Sequence, residues 1–157
     1  MRSKQQIQRE ARAILVEFAD RYPILGTIPI RVSARMTRAG GTAVFTNPAH
    51  EPVEIKLSLP FFADEANDLR ETVTHEAAHI VAGRKAVHGP AWKAVHRTMG
   101  GKAQRCHKME LANGFTARRN VRVDSPCARC GRPLSLGPIQ AKKANRGARY
   151  SHKNCSR

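Results

Sequence analysis

The stretch His75-Glu76-Ala77-Ala78-His79 decides the fold and the chemistry predicted for this chain. On an α-helix, residues four apart are separated by ~40° around the axis, so the two imidazoles lie on one face and can bind the same metal ion. Glu76 follows the first histidine and is placed to reach a metal-bound water without binding the metal itself. The pattern H-E-x-x-H therefore predicts a zinc site with a general base beside it.

The helix that carries this motif is amphipathic. A second stripe, which is apolar, lies roughly 90° or more away from the histidines and consists of Leu69, Val73, Ala77 and Ile80. The helix can therefore pack on a core with one side and bind zinc with the other. We expect it to begin near Asp64, a plausible N-cap, and to end at Ala82, because Gly83 is a typical helix stop.

A catalytic zinc ion usually has three protein ligands and one open position, so the motif needs a third ligand. His88 lies nine residues after His79 and follows the break at Gly83, which lets the chain turn back toward the metal. His96 and His50 are the competing candidates. His96 falls inside the next predicted helix and His50 in a loop, and we therefore favour His88.

The elements around the motif predict an α+β fold. An amphipathic helix is expected over residues 4–21, and a third helix should open at Gly89-Pro90. Between the first helix and the motif helix, three segments favour β-structure, namely Ile28–Met36, Ala43–Thr46 and Val53–Leu59. Gly40-Gly41 stands between the first two segments, as a hairpin turn would require. These features predict a small antiparallel sheet.

The charge of the chain is large and unevenly distributed. Its 157 residues include 28 Lys and Arg against 12 Asp and Glu, a net charge of +16. Residues 1–99 contribute 14 basic and 10 acidic residues, whereas residues 100–157 contribute 14 basic and 2 acidic residues. Such a field attracts polyanions, so nucleic acid is the first partner to expect.

The sequence also bears on membrane partners and location. No apolar run approaches the ~20 residues that span a bilayer, which excludes an integral helical membrane protein. The N-terminal residues lack a secretory apolar region. We therefore expect no membrane partner. We also expect a monomer. We expect it to be cytoplasmic or nucleoid-associated (nuclear in a eukaryote) and not secreted.

A second metal site is predicted near the C-terminus. Cys127 and Cys130 form a C-x-x-C-G pattern, and His152 and Cys155 supply the second pair of a four-ligand Cys₃His zinc site. Four protein ligands leave no position for a substrate, so this zinc would be structural. A redox C-x-x-C is the rival interpretation, and Cys106-His107 is an alternative ligand pair.

Basic residues surround this second site. The predicted nucleic-acid contacts are Arg118, Arg119, Arg122, Arg129, Arg132, Lys142, Lys143, Arg146 and Arg149. A basic surface with a few aromatic residues suits contact with the backbone of single-stranded or distorted DNA without sequence specificity.

His75-Glu76-Ala77-Ala78-His79 followed by His88-Gly89-Pro90-Ala91-Trp92 resembles the SprT-like family of zinc metallopeptidases, of the SprT and Spartan type. The resemblance implies a metallopeptidase domain over residues 1–115 and a basic zinc ribbon over residues 116–157. It also implies that His75, His79 and His88 bind the catalytic zinc, with Glu76 as general base. The substrates it implies are proteins crosslinked to or tightly bound on DNA.

Two functions therefore remain open at the level of sequence. The leading hypothesis is a DNA-binding, zinc-dependent endopeptidase of the SprT-like type, with one catalytic and one structural zinc. The alternative is a non-catalytic zinc protein that binds nucleic acid through its basic ribbon. Glu76 favours the first, because a purely structural metal site has no need of that carboxylate.

Overall fold

The structure, a computed structural model, describes residues 1–105, 108–117 and 122–155. The chain divides into two compact units, Met1–Ala117 and Arg118–Arg157. Helices and small sheets are both present, which confirms the predicted α+β class at that level. No helix in the described ranges is long and apolar enough to cross a membrane.

The first helix, α1, spans Lys4–Val16 and ends earlier than the predicted residue 21. Ser3 caps it, accepting a hydrogen bond from the backbone N–H of Gln6. Beyond Val16 the chain tightens, because the N–H groups of Phe18 and Ala19 each bond the carbonyl three residues earlier, which is a common way for a helix to end. A short helix, α2, follows at Ile24–Thr27.

The sheet of the first unit differs from the prediction. Its strands are β1 (Ile30–Ser33), β2 (Gly41–Phe45) and β3 (Pro52–Ser58), and their order within the described residues is β1-β3-β2. β3 pairs with β1 in parallel and with β2 antiparallel, so the sheet is mixed. The predicted hairpin between β1 and β2 is wrong because β3, whose Ile55 and Leu57 are fully buried, lies between them.

The motif helix, α4, spans Leu69–Ala82 and follows a short helix, α3, at Leu59–Phe62. Its N-cap is Asp68, whose side chain accepts a hydrogen bond from the N–H of Glu71 at 3.0 Å. The predicted N-cap at Asp64 is therefore wrong, because residues 63–67 form a separate bend before the helix begins. The predicted end is confirmed: Gly83, with φ of +80°, follows Ala82.

The predicted apolar stripe of α4 packs into the core of the first unit. Leu69, Val73, Ala77 and Ile80 are all buried there, against α1 and the sheet. The opposite side of α4 is covered in part by α5 (Pro90–Thr98), which begins after Gly89 as predicted. The buried residues of α5 include Trp92 and His96. α4 thus has one side in the core and one side toward α5 and the histidines.

The second unit is small. A two-stranded antiparallel sheet pairs β4 (Val123–Pro126) with β5 (Pro133–Leu136) in the part of the unit that the structure describes. A helix that the sequence analysis did not predict, α6, spans Pro138–Ala144. Leu136 and Ala141 are among its few buried apolar residues, so the unit has little apolar core of its own.

Candidate active site

Three imidazoles, two of them carried by α4, converge in the first unit. The Nε2 atom of His88 lies 3.1 Å from that of His75 and 3.2 Å from that of His79. We call these three residues the histidine triad. Their ligand atoms form one of the groups in the described residues that could hold a metal ion. The sequence-predicted ligands are therefore brought together by the fold.

The spacing within the triad suits zinc. With Zn–N bonds of ~2.0–2.1 Å, two nitrogen ligands of a tetrahedral ion lie ~3.3 Å apart, close to the distances observed. Three imidazole nitrogens at this range cannot all satisfy one another by hydrogen bonding, whereas a cation accepts all three lone pairs. The donor set and its geometry therefore fit a zinc ion with an open fourth position.

His88 reaches the triad because the chain reverses direction after α4. Gly83 adopts φ of +80°, and a 3₁₀ turn at Arg84–Ala86 follows. Val87 then has φ of +46°, a conformation that a β-branched residue rarely adopts. This strained residue stands immediately before His88, at the point where the chain must aim the imidazole back toward α4.

The two competing histidines lie elsewhere. His96 is fully buried, and its Nε2 atom lies 3.2 Å from the hydroxyl of Thr74 and 3.7 Å from a carboxylate oxygen of Glu71. His50 lies in a loop, where its Nδ1 atom is 3.4 Å from the guanidinium of Arg84. Neither belongs to the candidate metal group, so the geometry favours His88 as the third ligand.

The ring of Trp92 packs against all three histidines of the triad. Its ring lies 4.7 Å from those of His75 and His88 and 5.3 Å from that of His79, between centroids. The indole N–H donates a hydrogen bond to the backbone carbonyl of His75 at 3.3 Å. A buried, rigid ring in contact with all three imidazoles restricts their rotamers, which holds the nitrogens close to a metal-binding arrangement.

Two imidazoles of the triad, those of His79 and His88, favour their neutral form. Burial, followed by the charges of His88 and His96, lowers the pKa of His79 to about 4. Burial also lowers the pKa of His88, and the nearby charge of Arg105 adds to this effect. A neutral imidazole is the form that binds a metal, so this environment suits a ligand set.

Glu76 is buried beside the triad and is held by the sheet. Its Oε2 atom accepts a hydrogen bond from the backbone N–H of Ala43 in β2 at 2.7 Å. Burial raises the pKa of the Glu76 carboxyl to about 7, and the hydrogen bond from Ala43 opposes that shift. A carboxylate that titrates near neutrality can both accept and return a proton, which is what a general base requires.

Gly41 makes room for Glu76, a role that the sequence analysis missed. A methyl group at Gly41 would lie 2.7 Å from Cγ and 2.9 Å from Oε1 of Glu76, and 2.9 Å from Cγ2 of Thr72. The pair Gly40-Gly41 was interpreted as a hairpin turn. Glycine is indeed required at this position. The reason is not a turn, however, but the close approach of strand β2 to helix α4.

A cleft of about 830 Å³ runs along the triad between β2 and α4. Its lining residues are Arg38, Ala39, Gly40, Gly41, Thr42, Ala43, Val44, Phe45, Phe61, Thr72, His75, Glu76, His79, Arg84, Val87, His88, Arg105 and Met109. This is the size of a site for a peptide or a small molecule, and the candidate ligands and the candidate base face the same space.

The second unit brings together Cys127, Cys130, His152 and Cys155, which we call the C-terminal cluster. The Sγ atoms of Cys127 and Cys155 are 3.8 Å apart, and Sγ of Cys130 is 3.6 Å from Nδ1 of His152. Tetrahedral zinc with Zn–S bonds of ~2.3 Å requires ~3.8 Å between sulfurs and ~3.6 Å between sulfur and nitrogen. The cluster therefore fits a four-ligand zinc site.

Hydrogen bonds around the C-terminal cluster favour the metal-binding forms of His152 and Cys127. Nε2 of His152 lies 3.1 Å from the carbonyl oxygen of Pro133, so an Nε2–H donates there and Nδ1 keeps its lone pair for the cluster. The backbone N–H groups of Cys130 and Arg129 lower the pKa of the Cys127 thiol to about 5. Gly131, with φ of +71°, closes the turn behind the first two cysteines.

The predicted DNA contacts are distributed unevenly around the cluster. Arg118 and Arg119 lie outside the described residues, as does the alternative ligand pair Cys106-His107. Arg129 donates to the carbonyl of Cys155, and Arg132 bonds the Cys130 thiol, so both arginines contact the cluster itself. The remaining predicted contacts are exposed side chains, namely Arg122, Lys142, Lys143, Arg146 and Arg149.

The fold and the triad define an α+β protein with a candidate metal centre of the H-E-x-x-H type. Residues 9–113, more than half of the chain, match the SprT-like family. The chain belongs to the SprT-like family, as the resemblance in its motifs predicted.

Two relatives illustrate this membership. Protein SprT of Salmonella arizonae is 33% identical over 113 residues, which cover 55% of this chain and 68% of that protein. Protein SprT of Salmonella paratyphi C is 31% identical over the same shares of the two chains. No solved structure matches the chain.

Proposed function

We propose that this protein is a zinc-dependent endopeptidase that acts on proteins bound or crosslinked to DNA. The observation that carries the proposal is the position of Glu76, a buried carboxylate held next to three converging imidazoles in an open cleft. Burying a carboxylate is energetically unfavourable, and a purely structural metal site would gain nothing from a buried carboxylate that does not bind the metal.

In this proposal His75, His79 and His88 hold the zinc. Zinc bound there would supply a water of lowered pKa and would polarise the carbonyl of the scissile bond. Glu76 takes the proton at Oε1, because Oε2 is engaged by the N–H of Ala43. The same carboxyl then returns the proton to the leaving amine.

The backbone of β2 would orient the substrate. β2 is an edge strand of the described sheet, and the N–H of Ala43 points away from β3 toward Glu76. Because backbone groups alternate along an antiparallel strand, the carbonyls of Gly41 and Ala43 face the same way. An extended polypeptide can therefore pair with β2 and present its backbone to the triad.

We further propose that the second unit is a zinc ribbon that binds DNA. Residues 118–157 carry 11 basic residues and 1 acidic residue, a net charge of +10, and this charge and the exposed cations around the C-terminal cluster support electrostatic contact with phosphates. The scarcity of buried apolar residues in the unit supports a folding role for its zinc. One catalytic and one structural zinc per chain are therefore expected.

Glu76→Gln tests the proposal against the non-catalytic alternative. The variant should keep two zinc ions per chain and the fold of the wild type, while cleavage of a DNA-bound protein falls by at least about a hundredfold. Metal content and DNA-stimulated cleavage are measured on the same preparations. Retention of most activity by the variant would exclude Glu76 as the base, and a wild type without cleavage would favour the non-catalytic alternative.

A further inference from the structure

The charged residues that line the cleft are unbalanced. Three arginines line it, Arg38, Arg84 and Arg105, and each is exposed. Among the described residues of the lining, Glu76 is the only carboxylate. Because Glu76 is buried and its Oε2 accepts the N–H of Ala43, it is poorly placed to neutralise an arginine at the mouth of the cleft.

Two of these arginines line the cleft together with all three histidines of the triad. Arg84 begins the 3₁₀ turn that joins His79 to His88, and its guanidinium lies 3.4 Å from Nδ1 of His50. Arg105 lies in the segment that follows α5 and lines the same cleft as His88. Arg84 and Arg105 therefore line the space where a substrate would lie from two different segments of the chain.

Guanidinium groups at such a position favour one class of ligand. Each presents several N–H donors in a planar fork that matches a carboxylate in two parallel hydrogen bonds. A lysine or arginine side chain of the ligand would instead meet like charge in a confined space, where repulsion is screened less than on open surface. The chemistry of the lining therefore selects for acidic side chains.

We propose that the cleft selects polypeptide segments with Asp or Glu beside the bond held at the histidine triad, with Arg84 and Arg105 as the specificity-determining residues. This inference rests on the proposed peptidase function for its substrate class. It adds a preference that neither zinc binding nor general-base catalysis requires, since both depend on the backbone of the substrate and not on its side chains.

Binding measurements on zinc-loaded, full-length Glu76→Gln protein test the inference without relying on cleavage. The probes are fluorescent peptides of one sequence in which the residues flanking the central bond are Glu, Gln or Lys. Two guanidinium–carboxylate pairs that each change affinity about threefold predict about tenfold tighter binding of the Glu peptide than of the Gln peptide at low salt. The Lys peptide should bind most weakly, and 0.5 M salt should reduce the preference.

Matched variants test whether Arg84 and Arg105 cause the preference for the Glu peptide. In the same background, Arg84→Gln combined with Arg105→Gln should bring the Glu and Gln peptides to within about twofold of each other. The control, Arg9→Gln combined with Arg31→Gln, removes the same charge from exposed positions outside the cleft and should leave the preference intact. An equal loss in both double variants would show a general charge effect and would overturn the inference.

The remaining outcomes are also decisive. Equal affinity for the Glu and Gln peptides in the parent protein overturns the inference. So does a loss of oligonucleotide affinity in the cleft double variant with no change in peptide preference, because the arginines would then serve DNA. If the wild type cleaves no protein but the acidic preference and its loss are observed, the proposed peptidase function fails and the selectivity of the cleft stands.

Discussion

Replacing Gly41 with Ala tests whether the position of Glu76 controls the proposed reaction. The new Cβ would lie 2.7 Å from Cγ of Glu76, about 0.7 Å inside the 3.4 Å at which ordinary van der Waals contact begins. The backbone of Gly41 has little freedom to retreat, because it pairs with the fully buried Leu57 in β3. The carboxylate of Glu76 must therefore move.

The size of the effect follows from that displacement. A shift of about 0.7 Å away from β2 would stretch the 2.7 Å hydrogen bond from Ala43 to about 3.4 Å, beyond the usual limit for an N–H···O bond. Since misplacement of a reacting group by ~1 Å can reduce a rate by ~10²-fold, we expect kcat to fall by about 10- to 100-fold. Overpacking should also reduce the free energy of unfolding by about 1–3 kcal/mol.

Gly40→Ala is the matched control. Its Cβ would lie 2.5 Å from Cε and 2.7 Å from Sδ of Met109, a flexible side chain that can rotate away, and 3.3 Å from Cζ of Phe62. We expect kcat for peptide cleavage to stay within about threefold of the wild type, and zinc content to be unchanged in both variants. If Gly41→Ala keeps its kcat, or if both variants lose the same activity, Gly41 does not position Glu76 and the reasoning is refuted.

Three further predictions follow from the ligands and the caps. His88→Ala should lower the metal content from two zinc ions per chain to one, whereas His50→Ala should leave it unchanged; elemental analysis distinguishes them. Cys127→Ser should release the C-terminal zinc and weaken DNA binding across a salt series, and retained affinity would show that the second unit is not the DNA anchor. Asp68→Ala should reduce the free energy of unfolding in urea by about 1 kcal/mol, more than Asp64→Ala, and the reverse order would restore Asp64 as the cap of α4.

Local patterns in the sequence predicted the elements whose geometry is set over a few residues. The spacing of His75 and His79, the break at Gly83 and the opening of α5 after Gly89 all depend on helix geometry and on the backbone freedom of glycine. The ligand set of the C-terminal cluster was also proposed from spacing. These features could be predicted from sequence because each depends only on residues within one or two helical turns or within a short loop.

Other features were decided by contacts between distant segments. In the order β1-β3-β2, the strand that carries the buried Ile55 and Leu57 lies in the middle of the sheet. The apolar pattern of a strand indicates that it is buried but does not specify which strands are its neighbours. The early end of α1 and the cap at Asp68 depend on how the following segments turn. Helix α6 was missed because its seven residues carry too short a pattern to reveal a period.

The chemistry of the candidate site divides in the same way. The sequence by itself determined which side chains could bind zinc, because H-E-x-x-H places two imidazoles and a carboxylate on one helix. Only the tertiary structure decided that β2 presents the N–H of Ala43 to Glu76 and leaves space for it at Gly41. Burial and a hydrogen bond from a separate strand set the environment of that carboxyl, and both arise only when the sheet packs against α4.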